Sequence, residues 1–349
     1  MKQQRLEIAE PGRVVVKAGT VSPPAADQVL VQSHYSAISP GTEMLVYRGQ
    51  WPAGVTLDTT IDALAGTFSY PVAYGYCLVG KVIAAGSAAA HWLGCRVFAF
   101  QPHQNLFCAD PATLHRIPDD IDDETALFLA SMETAVNLLL DGAPRLGEKV
   151  MVVGQGVIGL LTTALLARFP LAALAALDRH PLRRQASIRF QAGHCFDPRD
   201  PAYLAHWGGP PGQGGQADLV YELSGNPAGL ETALGLSRFS GRIVVGSWYG
   251  AKKAHLDLGS FFHRGRVSLI SSQVSSLAPE LTGRWHTRRR LDLAWEMLRL
   301  VRPAACITHR FSLAAAALAY DLIDCRPEET IQVIFDHRPE KQELQATKE

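Results

Sequence analysis

The chain has 349 residues, 47% of them hydrophobic and 19% charged, which is long enough for two domains with separate cores and too apolar for intrinsic disorder. Lysine plus arginine number 33 and aspartate plus glutamate 33, so no excess of charge points to nucleic acid or to an anionic membrane. The six cysteines (Cys77, Cys95, Cys108, Cys195, Cys306 and Cys325) are too scattered for a CxxC redox motif or a local zinc knuckle, and they read as reduced thiols.

Met1-Lys2-Gln3-Gln4-Arg5 runs into an alternating strand pattern without an apolar targeting segment. The longest apolar run, 160–176, is broken by Arg168 and Pro170 and falls short of a membrane span. The expectation is therefore a cytoplasmic protein. Residues 5–120 read as short strands and turns, with β-rich runs at 14–16, 28–31, 79–84 and 96–100 punctuated by Gly86 and Gly94. The irregular stretch 51–71, with a short helix expected around 60–65, is either a small subdomain or a functional lid.

From residue 122 the texture changes. A helix is expected over 122–140, with Asp122 or Asp123 as its N-cap. Strands at 150–153, 172–177, 217–223 and 242–246 then alternate with helices at 157–168, at 181–192 and from Pro227, with a Gly/Pro loop at 208–215. Such alternation implies a parallel sheet with right-handed crossovers. Beyond it come the run Arg288-Arg289-Arg290, read as a solvated helix start, an amphipathic helix at 291–300, a strand at 309–311, a helix at 313–323, a strand at 331–335 and a charged tail expected to fray from Pro339.

Gly154-Gln155-Gly156-Val157-Ile158-Gly159 is a GxGxxG motif placed between an apolar strand and an apolar helix. In that position the first glycine permits the tight turn, the second lets backbone approach a pyrophosphate, and the third lets helix and strand pack closely. Asp178 closes the following strand, where a carboxylate can accept from the ribose hydroxyls and would repel a 2′-phosphate. NAD is therefore the expected cofactor. Arg179, Arg183 and Arg184 follow directly, and because an arginine can hold a 2′-phosphate, NADP stays open. Ser224-Gly225 and Gly246-Ser247-Trp248 end two further strands, at the carboxyl edge where such sheets bind ligands.

Three segments carry a resemblance that spans nearly the whole chain. Ile38-Ser39-Pro40-Gly41-Thr42-Glu43 resembles the I-C-G-T-D segment of the medium-chain dehydrogenase/reductase superfamily, Tyr74-Gly75-Tyr76-Cys77-Leu78-Val79-Gly80 its G-H-E-x-x-G segment, and Trp92-Leu93-Gly94-Cys95-Arg96-Val97 its W-x-x-G-D-R-V stretch. The resemblance implies an α/β fold, with a Rossmann doubly wound parallel sheet joined to a GroES-like β-rich catalytic domain. It divides the chain into a first part of the catalytic domain (1–121), a dinucleotide-binding domain (122–275) and a C-terminal segment returning to the catalytic domain (276–349). It also implies a homodimer or homotetramer joined through the last strands of the Rossmann sheet, near 267–271.

The departures from the family pattern carry chemistry. Ser39 or Pro40 stands where the family has its zinc-binding cysteine, Tyr76 at the histidine, Cys77 at the glutamate, and the third ligand position falls near Ala130. A catalytic zinc takes three protein ligands, and the lobe for a structural zinc, 98–110, contains only Cys108. No metal is expected. Among zinc-free members, the combination of S-x-G-T-E with G-Y-x-x-x-G resembles the branch that includes bacteriochlorophyllide a dehydrogenase.

Hydride transfer without a metal needs a group that polarises a carbonyl or takes a hydroxyl proton. Thr42 matches the family's proton-relay position, Tyr76 would aim its phenol at the cleft, and His103, expected on a cleft loop, suits acid–base work. Glu43 would orient these neighbours. By the resemblance Thr134 packs on the nicotinamide, and Tyr47, Trp51, 52–70 and 271–275 wall the pocket. The expected function is zinc-independent hydride transfer between NAD(H) and an alcohol/ketone pair, with a small-molecule substrate. An NADPH-dependent quinone or enoyl reductase and a non-catalytic dinucleotide-binding scaffold are the alternatives.

Overall fold

Two sheets organise the chain in the computed structural model, which describes residues 1–58, 60–210 and 213–338; the tail expected to fray from Pro339 lies outside the described residues. The first half opens with the hairpin β1 (Lys2–Glu10) and β2 (Arg13–Thr20), followed by β3 (Val29–Ala37) and the short helix α1 (Thr42–Tyr47). Then come β4 (Leu78–Ala85), β5 (Arg96–Ala99), β6 (Leu106–Ala109) and β7 (Leu114–Arg116). The helix expected around 60–65 shortens to a single 3-10 turn, Asp62–Leu64.

The helix expected over 122–140 is two: α2 (Asp123–Ala126) and α3 (Leu129–Gly142). Asp122 caps α2, its carboxylate accepting the Thr125 N–H at 2.7 Å. Next are β8 (Lys149–Val153), α4 (Val157–Leu166), β9 (Ala173–Leu177), α5 (Pro181–Arg189), β10 (His194–Phe196) and α6 (Leu204–Trp207). β11 (Ala217–Glu222), α7 (Pro227–Leu236), β12 (Ser237–Val245) and β13 (Ser268–Ser271) complete the parallel sheet, whose order is β10-β9-β8-β11-β12-β13. That is the doubly wound order, with its reversal between β8 and β11.

α8 (Thr287–Val301) then packs on α3 and α4, burying Leu291, Ala294, Trp295 and Leu298. The chain re-enters the mixed sheet through β14 (Ile307–Ser312), α9 (Ala316–Cys325) and β15 (Gln332–Asp336), giving the order β14-β15-β3-β4-β5-β7 with β6 beside β3. One apolar core runs from Tyr35, Val79 and Phe98 of the mixed sheet through Leu127, Phe128 and Met132 to Leu160 and Trp295. The cleft between the sheets is thus framed by a continuous packed wall. The arginine run departs from its reading. Arg288 and Arg289 are exposed, but Arg290 is 2% exposed, because it occupies the same helix face as Ala294 and Leu298.

Candidate active site

The glycine motif sits at the point where the strand order reverses. Gly154 has φ +94°, and a Cβ there would come within 2.6 Å of the Ser224 backbone. A Cβ at Gly159 would lie 2.0 Å from the Gly154 carbonyl, so turn and helix approach closely. At Gly156 a Cβ would meet nothing within 4 Å, and that face of the turn is open to a ligand. Gly156 also N-caps α4 without a side-chain hydrogen bond. The first N–H groups of the helix, with Val157 buried and Ile158 half-buried, keep their positive end for an anion.

Gln155 turns its side chain inward, donating to the Gly154 carbonyl at 3.0 Å and accepting from Thr163 at 3.1 Å. Its backbone N–H donates to Asp178 Oδ2 at 2.7 Å, and the His180 N–H donates to Oδ1 at 2.8 Å. Asp178 therefore braces the glycine turn as well as marking the end of β9. The arginines behind it divide. Arg183 donates to the carbonyls of Pro327 and Thr330 at 3.0 and 3.1 Å, which corrects the expectation that its guanidinium meets the cofactor. Arg184 binds the Asp178 carbonyl at 2.9 Å and Asp197 at 3.1 Å, while Arg179 is exposed.

Beside Gly154, β11 ends in Glu222, which is fully buried. Its carboxylate accepts from the Ser224 N–H at 2.9 Å, from the Ser224 hydroxyl and from the Tyr249 phenol at 2.5 Å. Gly225 donates its N–H to Ser247 Oγ at 2.8 Å. Gly246 answers to packing, since a Cβ there would lie 2.6 Å from methyl groups of Leu138 and Leu223. Trp248 stacks edge-on against Trp51, with ring centroids 4.5 Å apart, and Ala251 donates its N–H to the Gln50 carbonyl at 3.0 Å, so this loop touches the β-rich half across the cleft. Thr134 is half-buried and donates to the Ala130 carbonyl at 2.9 Å within its own helix.

On the other wall, α1 and the strand approach to β4 bring the hydroxyls together. The Tyr76 phenol donates to Ser39 Oγ at 2.6 Å, and the half-buried Thr42 hydroxyl lies close enough to act on it too. Burial, with the Cys77 sulfur next in effect, holds the Tyr76 phenol above its ordinary pKa, and the Ser39 and Thr42 hydroxyls pull the other way. Cys77 is buried and its thiol is likewise pushed up by burial.

His103 is not on the cleft surface, where the sequence reading put it. It is 0% exposed and lies behind Glu43, its Nε2 2.9 Å from Glu43 Oε1. Gly75 allows this approach, because a Cβ there would sit 2.9 Å from the ring. Glu43, also 0% exposed, accepts further from the Ser39 N–H at 3.0 Å and from the Tyr320 phenol. Glu222, Tyr249, Tyr320 and Ser36 escaped the sequence reading. Glu222 carried a signal, a charge closing an otherwise apolar strand, whereas Tyr320 reaches Glu43 from 277 residues away. Among the described residues no group of three or more His, Cys, Asp or Glu is placed to hold a metal ion.

No family model matches the chain. D-guloside 3-dehydrogenase of Escherichia coli (strain K12) is 23% identical over 288 residues, which cover 78% of this chain and 81% of that protein. Among solved structures, a short chain alcohol dehydrogenase from E. coli CFT073 complexed with cofactor NADH superposes with a TM-score of 0.75 at 18% identity, over 96% of this chain and 99% of that one. L-idonate 5-dehydrogenase from E. coli K-12 gives a TM-score of 0.76 at 16% identity, over 96% and 98%. The fold is a Rossmann sheet joined to a GroES-like domain. That is the fold of these solved dehydrogenases, and the curated relatives are likewise named as dehydrogenases.

Proposed function

We propose that the chain is a zinc-independent oxidoreductase that transfers a hydride between NAD(H) and an alcohol or ketone. The observation that carries this reading is the hydroxyl cluster Tyr76–Ser39, with Thr42 alongside, at the positions where the superfamily keeps its metal ligands. Two neutral hydroxyls, a buried thiol whose proton is held more tightly than usual, and Ala130 do not suit zinc, which asks for thiolate, imidazole or carboxylate donors. We take 1–121 with 276–349 as the catalytic unit and 122–275 as the dinucleotide unit.

In this reading Gly154, Gly156 and the α4 N-terminus, with Val157, Ile158 and Gly159, cradle the pyrophosphate. Asp178 accepts from the adenosine ribose, with Arg179 at its rim, and Ser224, Gly225 and Ser247 line the crevice. The nicotinamide, when bound, supplies or accepts the hydride. Tyr76 and Thr42 hold the substrate oxygen by hydrogen bonds and pass its proton, Ser39 orients the phenol, and Glu43 with His103 fixes α1 from behind. Trp51 and Trp248 wall the substrate side, and Thr134 faces the ring. Each preorganised donor of this kind supplies about 3 kcal/mol at the transition state. The relatives' substrates make a polyol or sugar hydroxyl the first class to assay, ahead of the C=C bonds of quinone or enoyl reductases. The protein assembles as a homodimer or homotetramer through the exposed edge strand β13. The test is NADH-linked turnover over a panel of polyols, glycosides and ketones, which should yield a substrate for wild type whose turnover falls about a hundredfold with Tyr76→Phe.

A further inference from the structure

Behind the cleft hydroxyls runs a chain of buried polar groups that the hydride chemistry leaves unused. Glu43 Oε1 lies 2.9 Å from His103 Nε2, His103 Nδ1 2.6 Å from Ser36 Oγ, and Ser36 Oγ 2.8 Å from His337 Nε2. Ser36 belongs to β3 and is 0% exposed, His103 lies in the loop between β5 and β6, and His337 directly follows β15. The far nitrogen, His337 Nδ1, is buried and has no hydrogen-bond partner among the described residues.

One assignment of protons, with both imidazoles neutral, satisfies every bond in the series. In that assignment the Ser39 N–H, the Tyr320 phenol and His103 Nε2–H all donate to the Glu43 carboxylate. With the imidazole neutral, His103 Nδ1 then accepts, and the single proton of Ser36 serves it. Ser36 Oγ in turn accepts from His337 Nε2–H, which leaves His337 Nδ1 without a proton. Three groups in series, His337, Ser36 and His103, therefore point their protons the same way, toward Glu43, and the series begins at a vacant lone pair.

We propose that His337, Ser36 and His103 form a proton relay that loads and unloads Glu43 behind the catalytic hydroxyls. A proton accepted from solvent water at His337 Nδ1 releases the Nε2 proton to Ser36 Oγ. The Ser36 proton passes to His103 Nδ1, and the His103 Nε2 proton passes to Glu43 Oε1. Each group gives one proton and takes one, so the net change is one proton moved onto Glu43. On the proposed hydride-transfer reading, which this rests on, the purpose is charge compensation. Carbonyl reduction takes the Tyr76 proton, the phenolate so formed is opposed by the charge of Glu43, and a proton arriving on Glu43 removes that opposition.

The surroundings suit a conduit with no resting charge. Glu43 is faced by His103, Tyr320, Tyr74, Tyr76 and Cys77. His337 is faced by His103 and Asp336; burial first, then His103, push its pKa down to about 3 against the pull of Asp336. A charge resting on the His337 ring is disfavoured, and protons pass when the steps are concerted.

The test is NMR of full-length protein labelled with ¹⁵N-histidine, transferred into D2O. The relay requires both rings neutral, with the proton on Nε2. It also requires the His103 Nε2–H, which has no solvent contact, to exchange about tenfold or more faster than core amides that open only by unfolding. Ser36→Ala and His337→Gln should each slow that exchange about tenfold or more, toward the core-amide rate. A His103 proton on Nδ1, or equal exchange in wild type and in whichever variants fold, overturns the relay. Loss of NADH-linked turnover leaves these readouts intact, so failure of the redox reading and failure of the relay are distinguishable.

Discussion

The backbone N–H of Gln155 donates to the carboxylate of Asp178 at 2.7 Å, so the residue proposed to select the ribose also holds the glycine turn in shape. Asp178→Ala should therefore do more than relax cofactor choice. NADH affinity should fall about tenfold or more, as expected for losing a charge-assisted hydrogen bond of about 1.5–3 kcal/mol, while NADPH affinity changes less. Fluorescence titration of both cofactors checks this. A wild type that prefers NADPH would show that Arg179 outweighs Asp178.

In the proposed mechanism Tyr76 and Thr42 act on the reacting oxygen, not on the cofactor. Tyr76→Phe and Thr42→Val should each lower kcat about a hundredfold and leave the Kd for NADH unchanged. A Thr42 that serves only the first turn of α1 would instead lower stability and spare turnover. Steady-state rates beside thermal melts separate the two outcomes.

Arg290 is the hub of a buried network. It donates to Glu133 at 3.1 Å, to Asn137 at 2.6 Å and to the Val274 carbonyl at 2.5 Å, fixing the segment after β13 against α3. Arg290→Met strands Glu133 and should cost about 3–5 kcal/mol in denaturant unfolding, part of it recovered in Arg290→Met/Glu133→Gln. Burial already raises the pKa of Glu133, against the pull of Arg290. A carboxylate with a raised folded pKa binds its proton more tightly in the folded state. Its contribution is therefore most favourable below the unfolded value of about 4.3 and declines as pH rises through the folded value. Arg290→Met should steepen that decline.

His337 gives the opposite limb. Its folded pKa of about 3 lies below the unfolded value near 6.5, so the stability it supports is complete above pH ~6.5 and is lost as pH falls toward the folded value. His337→Gln should flatten the stability profile between those limits.

The two halves were legible in the sequence to different depths. The parallel sheet was readable because β8, β9 and β11 are apolar runs with helices on both faces, and GxGxxG lies at the one point where the strand order makes it useful. The break between α2 and α3 was not, since Leu127 and Phe128 continue the apolar pattern and the change of direction answers to the core they enter. At the site, the hydroxyls of Thr42 and Tyr76 could be named from motif positions. His103 was misplaced because loops are expected at the surface, and nothing local to 101–105 announces that Gly75, Ser36 and Glu43 enclose its ring. Arg290 was hidden in a charged run, although its spacing of four from Ala294 and eight from Leu298 marks the buried face.

The central claim is hydride transfer without zinc. The most direct measurement is NADH-linked turnover of enzyme dialysed against a strong chelator, with zinc content determined on the same sample. Full activity at negligible zinc per chain is the predicted result. Activity that vanishes with the metal and returns at one zinc per chain would contradict it.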